Sequence, residues 1–246
     1  MKKIVMIVGV GGTGGNFAKE FCRYVSYLPE EKRDDISIIF VDGDIVEEKN
    51  LQRQPFFEDD IGRSKAAAFA DTIADSFGLE VAVCDKYLSD KKEIDDIVSS
   101  LAPLHQISYI PILVGCVDNH RARQVMHDYF CSKTTPNCVY FDSGNEFESG
   151  EIVTGVKAQG KILQQPRGYY FPEVLTDTSP SKLEESCGVI NESSPQHLVT
   201  NLMAANLLLS EVVNFLDSGA TKDGILFFNA FEPYVVRRVP ERTGEK

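Results

Sequence analysis

The sequence predicts an α/β fold: a mostly parallel sheet with helices on both faces, plus late antiparallel strands. Three observations predict it. Short apolar runs alternate with longer segments of helical period along the first 150 or so residues. The first run, Ile4 to Val8, breaks into Gly9-Val10-Gly11-Gly12-Thr13-Gly14-Gly15 and then into Phe17, Ala18, Phe21, Cys22 and Val25. That is the order strand, glycine turn, helix. Two later runs end on acids, Asp42 and Asp118, at the carboxyl ends of strands where such sheets bind ligands.

Taken in order, Gly9 allows a sharp turn, Gly11 leaves room for a phosphate, and Gly14 lets the helix pack close to the sheet. The first N–H groups of the helix point into the turn and form an anion site. A charged loop, 29–35, precedes a second strand, Ile36 to Val41, with Asp42 at its tip. In Rossmann-like folds an acid there holds a ribose hydroxyl. Residues 42–54 have no clean period but are dense in hydrogen-bonding groups. Ile61-Gly62-Arg63-Ser64-Lys65 opens a helix from Ala66 to Phe77. A cation is disfavoured at a helix N-terminus, so Lys65 reads as a solvated surface lysine or as the partner of an anion.

Glu80 to Leu88 reads as a third strand, and Lys91 to Leu101 as an amphipathic helix. Pro111 to Val117 is a buried strand, and His120 to Cys131 a helix. Cys138 to Gly144 is a strand with Glu151 to Lys157 as its hairpin-like neighbour. Residues 158–194 lack a sustained period and read as a loop or crossover inside a single domain, 1–246. Gln196 to Leu216 is a strongly apolar helix, and Gly224 to Val239 two strands broken at Pro233.

Composition narrows the function. Asp and Glu number 37 against 25 Lys and Arg, a formal net charge of −12. That balance speaks against generic nucleic-acid or membrane-surface binding. The cysteines, Cys22, Cys84, Cys116, Cys131, Cys138 and Cys187, include no Cys-x-x-Cys pair. This favours a reducing, cytoplasmic setting over a disulfide framework, and no zinc of the paired-cysteine type. Met1-Lys2-Lys3 leads straight into the first strand, so no signal peptide is expected. No apolar run is expected to span a bilayer.

The pieces together resemble the ThiF/MoeB/E1 superfamily, enzymes that adenylate the C-terminal carboxylate of ubiquitin-like proteins. The resemblance lies in Gly9-x-Gly11-Gly12-x-Gly14, Asp42-x-Asp44-x-Val46-Glu47, Asn50-Leu51-x-Arg53-Gln54, Gly62-x-Ser64-Lys65 and Asp118-Asn119-x-x-x-Arg123. Phe141-Asp142-Ser143-Gly144-Asn145 with Gly150-Glu151-Ile152-Val153 is similar to one branch, the ThiF-like protein of bacterial ParB/ThiF-related (PRTRC) cassettes.

The resemblance implies ATP and Mg²⁺ as cofactors. It implies that Asp42 holds the ribose and that Gly9, Gly11, Gly12 and Gly14 let phosphates approach the backbone. Asn50, Arg53, Gln54 and Lys65 would contact phosphates, Asp118 would hold Mg²⁺, and both Asp118 and its neighbour Asn119 would belong to the nucleotide-binding set. Asp44 would support the turn more than touch nucleotide. Asp118 is alternatively a helix N-cap. Arg123 matches the family arginine; Arg121 does not, and both read equally as surface charges. Arg53, Lys65 and Asp118 are the implied catalytic groups. Cys187 stands roughly where relatives carry a crossover-loop cysteine, which in some members forms a thioester or persulfide adduct; it reads as such a catalytic cysteine or as an unreactive one. The implied partner is a ubiquitin-like or sulfur-carrier-like protein, and the implied state a homodimer. The chain begins at the strand, where many relatives have a helix supplying an arginine to the partner subunit's site, so that arginine is expected to be missing or replaced.

The chemistry agrees. Attack of a carboxylate on the α-phosphate of ATP builds charge on phosphoryl oxygens and expels pyrophosphate, which calls for preorganised cations. An NAD- or FAD-dependent oxidoreductase would explain the glycines and Asp42, but not Arg53, Lys65 and Asp118 together. A degenerate, nonenzymatic scaffold for a ubiquitin-like partner is the third reading.

Overall fold

Strand β1 (Lys2–Val8) takes the middle of the sheet because both its faces are apolar. Ile4, Met6 and Val8 pack on one side, Val5 and Ile7 on the other, the two-residue alternation of a strand covered twice. The computed structural model describes residues 1–102, 108–178 and 197–239. Around β1 stand β2 (Ile36–Val41), β3 (Ala82–Cys84), β4 (Tyr109–Gly115) and β5 (Cys138–Asn145), all parallel, in the order β3-β2-β1-β4-β5. Antiparallel strands extend the sheet: β6 (Ser149–Ala158) on β5, β8 (Ile225–Asn229) on β6, and β9 (Tyr234–Arg238) on β8. Short β7 (Lys161–Gln164) also pairs with β6.

Helices α1 (Gly12–Ser26), α3 (Lys65–Phe77) and α8 (Leu198–Ser218) cover one face. There Phe17, Phe21, Phe69, Ile73, Leu208 and Val212 cluster with Val5, Ile7, Phe40 and Phe141. Helices α4 (Lys91–Leu101) and α5 (His120–Cys131) cover the other, where Ile94, Val98, Val125, Met126 and Phe130 meet Ile4, Met6, Leu113 and Tyr140. A single turn, α2 (Glu30–Arg33), precedes β2. The chain runs outward from β1 to β2 and β3, then returns to β4 on the other side of β1. The crevice of such a sheet lies at that reversal, outside the carboxyl ends of β1 and β4.

The glycine turn occupies the crevice. Gly9 has φ +86°, and a Cβ there would stand 2.7 Å from the Cys116 carbonyl oxygen at the end of β4. At Gly14 a Cβ would overlap the Gly9 carbonyl oxygen and lie 2.9 Å from Cys116 Cβ. The close packing expected of Gly14 is present.

Several expectations are corrected. The third strand is three residues rather than Glu80 to Leu88, because the chain beyond Cys84 leaves the edge of the sheet and lays Tyr87 against Gly43. β4 ends at Gly115, two residues before Val117. The described part of 158–194 is not a bare loop: it holds β7, α6 (Arg167–Tyr170) and α7 (Glu173–Thr176). Its order comes from buried ion pairs of Arg167 rather than from apolar period, so pattern alone misses it. Residues 179–194, Cys187 among them, lie outside the described residues. Helix α8, at 21 residues, is long and apolar enough to cross a membrane by length and composition, against the expectation that no run is. One face of it, with Ala204, Leu208 and Val212, packs into the core against α1 and the sheet.

Gly14→Ala should therefore destabilise the protein by about 3 kcal/mol or more, since backbone has to move. Gly62→Ala, at φ +86° but with open space around it, should cost only about 1–2 kcal/mol. Denaturant unfolding of both variants checks the difference.

Candidate functional site

A cavity of about 860 Å³ opens at the carboxyl ends of β1, β2, β4 and β5. Its walls include the glycine turn through Gly9, Gly11 and Gly12, the acids Asp42, Asp44 and Asp118, the cations Arg53 and Lys65, and Gln54. Gly14 stays behind the wall, where it sets the packing of α1 and touches no ligand space.

Asp42 directly follows β2 and ties the glycine turn in place. Its Oδ2 accepts from the Val10 N–H at 2.8 Å and its Oδ1 from the Asp44 N–H at 2.9 Å. A carboxylate has lone pairs left after two such bonds, so a ribose hydroxyl can still donate to it. Burial, then the nearby Asp44 charge, push its carboxyl above the ordinary value; Lys65 and the two N–H donors pull the other way.

Lys65 opens α3 behind the Ser64 N-cap, and its backbone N–H donates to the Asp44 carbonyl at 3.0 Å. The side chain is only 8% exposed, so it is no solvated surface lysine. Its ammonium pairs with Asp44 Oδ2 at 3.1 Å. The Tyr87 hydroxyl donates to the other oxygen of Asp44, and burial with the Asp44 bond pushes that phenol well up. Asp44 thus supports the turn, as expected, and also supplies the anion that the position of Lys65 implied.

Arg53 and Gln54 follow a short 3₁₀ turn, Glu48–Asn50. Asn50 is buried and holds that turn: its Oδ1 accepts from the Glu47 N–H at 2.9 Å, and its carbonyl from the N–H groups of Arg53 and Gln54. It does not line the cavity. Its expected phosphate contact gives way to a structural role because an amide in a one-turn helix caps its own backbone. Gln54 reaches Gly11, and its Oε1 is buried without a donor among the described residues.

At the start of α5 the cap is Asn119, whose Oδ1 accepts from the Ala122 N–H at 2.9 Å. Asp118, one residue earlier and exposed at the cavity, is not the cap. Asn119 also faces the cavity, but its carbonyl oxygen is committed to α5. Arg121 is a surface residue that donates to the Ser89 carbonyl. Arg123 is buried: it donates to the Val117 carbonyl at 2.7 Å and the Ser143 carbonyl at 3.1 Å, and pairs with Asp142 Oδ1 at 3.3 Å. It pins the loop carrying Asp118 to the end of β5.

Two groups escaped the sequence reading. Asp142 is fully buried among Arg123, Arg167 (3.1 Å) and the Tyr140 hydroxyl (2.7 Å), and Arg167 pairs again with Glu151 at 2.6 Å. Gly144 makes the space: a Cβ there would overlap Glu151 Oε1 and lie 2.9 Å from Arg167 Nη2. An acid directly after the apolar run Val139-Tyr140-Phe141 and within the same strand was the available signal, since a buried charge needs a partner. The second group is Thr13, Asn145 and Asn201, hydrogen-bonded together beside the glycine turn. Asn201 in the apolar stretch of α8 was its signal. Among the described residues no cluster of three or more His, Cys, Asp or Glu could hold a metal.

The profile of the ThiF family matches residues 2–244. Solved structures share the fold. PaaA is 19% identical with a TM-score of 0.58, over 97% of this chain and 64% of that one. Escherichia coli MccB crystallised with ATP is 17% identical with a TM-score of 0.62, over 97% and 63%. MccB with AMPCPP and MccA is 17% identical with a TM-score of 0.60, over the same shares. The chain therefore spans less than two thirds of these proteins. No curated protein sequence matches it significantly.

In nucleotide-free protein, Asp42 should titrate above the ordinary aspartate value. Lys65→Ala should raise its midpoint further by removing a stabilising cation, and Asp44→Asn should lower it by removing a like charge. Carboxyl-carbon NMR titration reads all three.

Proposed function

The chain belongs to the ThiF family, and from that premise we propose that it activates a carboxylate with ATP, forming an acyl-adenylate and releasing pyrophosphate. One observation carries the reading: the glycine turn, Asp42, Arg53, Lys65 and Asp118 converge on a single cavity, though they come from separate stretches of chain. MccB, with the same fold, was crystallised with ATP and with MccA.

In this reading Asp42 accepts a ribose hydroxyl while its backbone bonds keep the turn shaped. Phosphates lie against Gly11 and Gly12, where the N–H groups opening α1 face them. Arg53 offers a planar fork and Lys65 a compact charge to the phosphoryl oxygens. Lys65 is preorganised by Asp44 and Tyr87, so little reorganisation is needed as charge develops. Asp118 fits Mg²⁺, which is commonly held by one or two carboxylates together with substrate phosphates. Mg²⁺ there would neutralise charge on the phosphoryl oxygens. The acid would enter the part of the cavity lined by Gly144 and Phe147.

The acid we favour is the C-terminus of a ubiquitin-like or sulfur-carrier-like protein, within the PRTRC branch that the β5–β6 motif suggests. The single 1–246 domain would act as a cytoplasmic homodimer, with the exposed Leu198, Val199 and Leu202 of α8 offering an apolar contact face. Net charge argues against an RNA-borne acid.

ATP with Mg²⁺, and not NAD, should raise the melting temperature. With a small β-grasp protein ending in Gly-Gly as acid, the protein should catalyse ATP–pyrophosphate exchange. Lys65→Ala and Asp118→Ala should each slow that exchange about a hundredfold or more while the far-UV CD spectrum is kept. Exchange at wild-type rate in both variants would overturn the assignment.

A further inference from the structure

We propose that Asn201 is a phosphate-binding residue, its Nδ2 donating to an oxygen of the triphosphate seated at the first turn of α1. The inference rests on the ATP reading above and adds a residue from the far end of the chain, 188 positions from Thr13.

Asn201 is 1% exposed on the buried face of α8 and lines the cavity. Two donors converge on its Oδ1: Asn145 Nδ2 at 2.8 Å and the Thr13 hydroxyl at 3.2 Å. They orient the amide so that Nδ2 faces away from both. That Nδ2 is buried and finds no acceptor among the described residues. A buried donor left unpaired is costly, and native proteins rarely tolerate one without a use.

What Nδ2 faces is the opening of α1. A Cβ on Gly12 would overlap Nδ2 and lie 3.0 Å from Asn201 Cγ, so the amide stands over the residue that begins the helix. Helix α1 has 15 residues, no side-chain cap on its N-terminus and no acid in its first turn. Among the described residues its leading N–H groups find no side-chain acceptor. A lone neutral acceptor would satisfy the amide but not the positive end of the helix; an anionic oxygen satisfies both. Gln54, whose Oε1 is also without a donor, flanks the same turn at Gly11.

Asn201→Asp is the sharpest test. It keeps the oxygen that Thr13 and Asn145 bond and the shape of the side chain, while replacing the one unpaired donor by a negative charge. Isothermal titration with ATP and MgCl₂, and separately with adenosine, reads the effect. The expected result is at least about a tenfold weakening for ATP, with adenosine unchanged within about twofold, as for loss of a hydrogen bond to a charged group. ATP affinity unchanged, or an equal loss for both ligands, overturns the assignment to phosphate. Wild-type protein that binds no ATP removes the ATP reading and this inference with it; wild-type binding with an indifferent variant removes this inference alone. Should Asn201→Asp fail to fold by CD, Asn201→Ala removes the Nδ2 donor without adding charge. Asn201→Ala should show the same ATP-selective loss, about fivefold, and the same two outcomes overturn the inference.

Discussion

The contact between Gly14 and the Gly9 carbonyl governs the rest of the structure. It seats the first turn of α1 directly against the carboxyl ends of β1 and β4, closer than any side chain permits. Everything at the crevice takes its position from that wedge. The turn Gly9–Gly12 is held open by Asp42 from β2, which accepts the Val10 N–H, and α8 lies over Gly12 through Asn201. A backbone approach of this kind is rigid because no rotamer can relieve it, and rigidity is what a preorganised anion site requires.

Charge is arranged on two levels around this wedge. At the deeper level, Asp142 sits between Arg123 and Arg167, and Glu151 balances Arg167 a second time. Buried ion pairs contribute little net stability, yet removing one partner costs about 3–5 kcal/mol. Such a network holds geometry: it locks the loop of Asp118 to β5 and holds the α6 segment over β6. At the cavity surface, Lys65 is neutralised by Asp44, which is itself bound by Tyr87. Under the proposed function, an arriving polyphosphate would compete with Asp44 for Lys65, and the Tyr87 hydroxyl would keep Asp44 bonded as the ammonium turned toward the ligand.

The fold was largely legible because its core strands are short, apolar and bounded by glycine or acid. β1, β2, α4, α5 and the β5–β6 hairpin fall where the period places them. The weak spots were the edge strand β3, where pairing on one side supports only three residues, and the stretch after β6. In that stretch Arg167 is buried by Asp142 and Glu151 rather than by an apolar face, and hydrophobic period carries no signal for ion pairing.

For the site, local signatures marked the glycine turn and the acids at the strand tips, and the resemblance to the ThiF/MoeB/E1 superfamily joined Arg53 and Lys65 to them as one set. Local signatures could not tell which neighbour does which task. Asn119 rather than Asp118 caps α5, Asn50 holds its own turn, and Lys65 answers to Asp44. Only the folded chain brings Asn201 from α8 and Arg167 from α6 to the same cavity, because their partners lie far off in sequence. Sequence determines what each short segment can become; the packing of α1 and α8 across the sheet decides which distant side chains share one pocket.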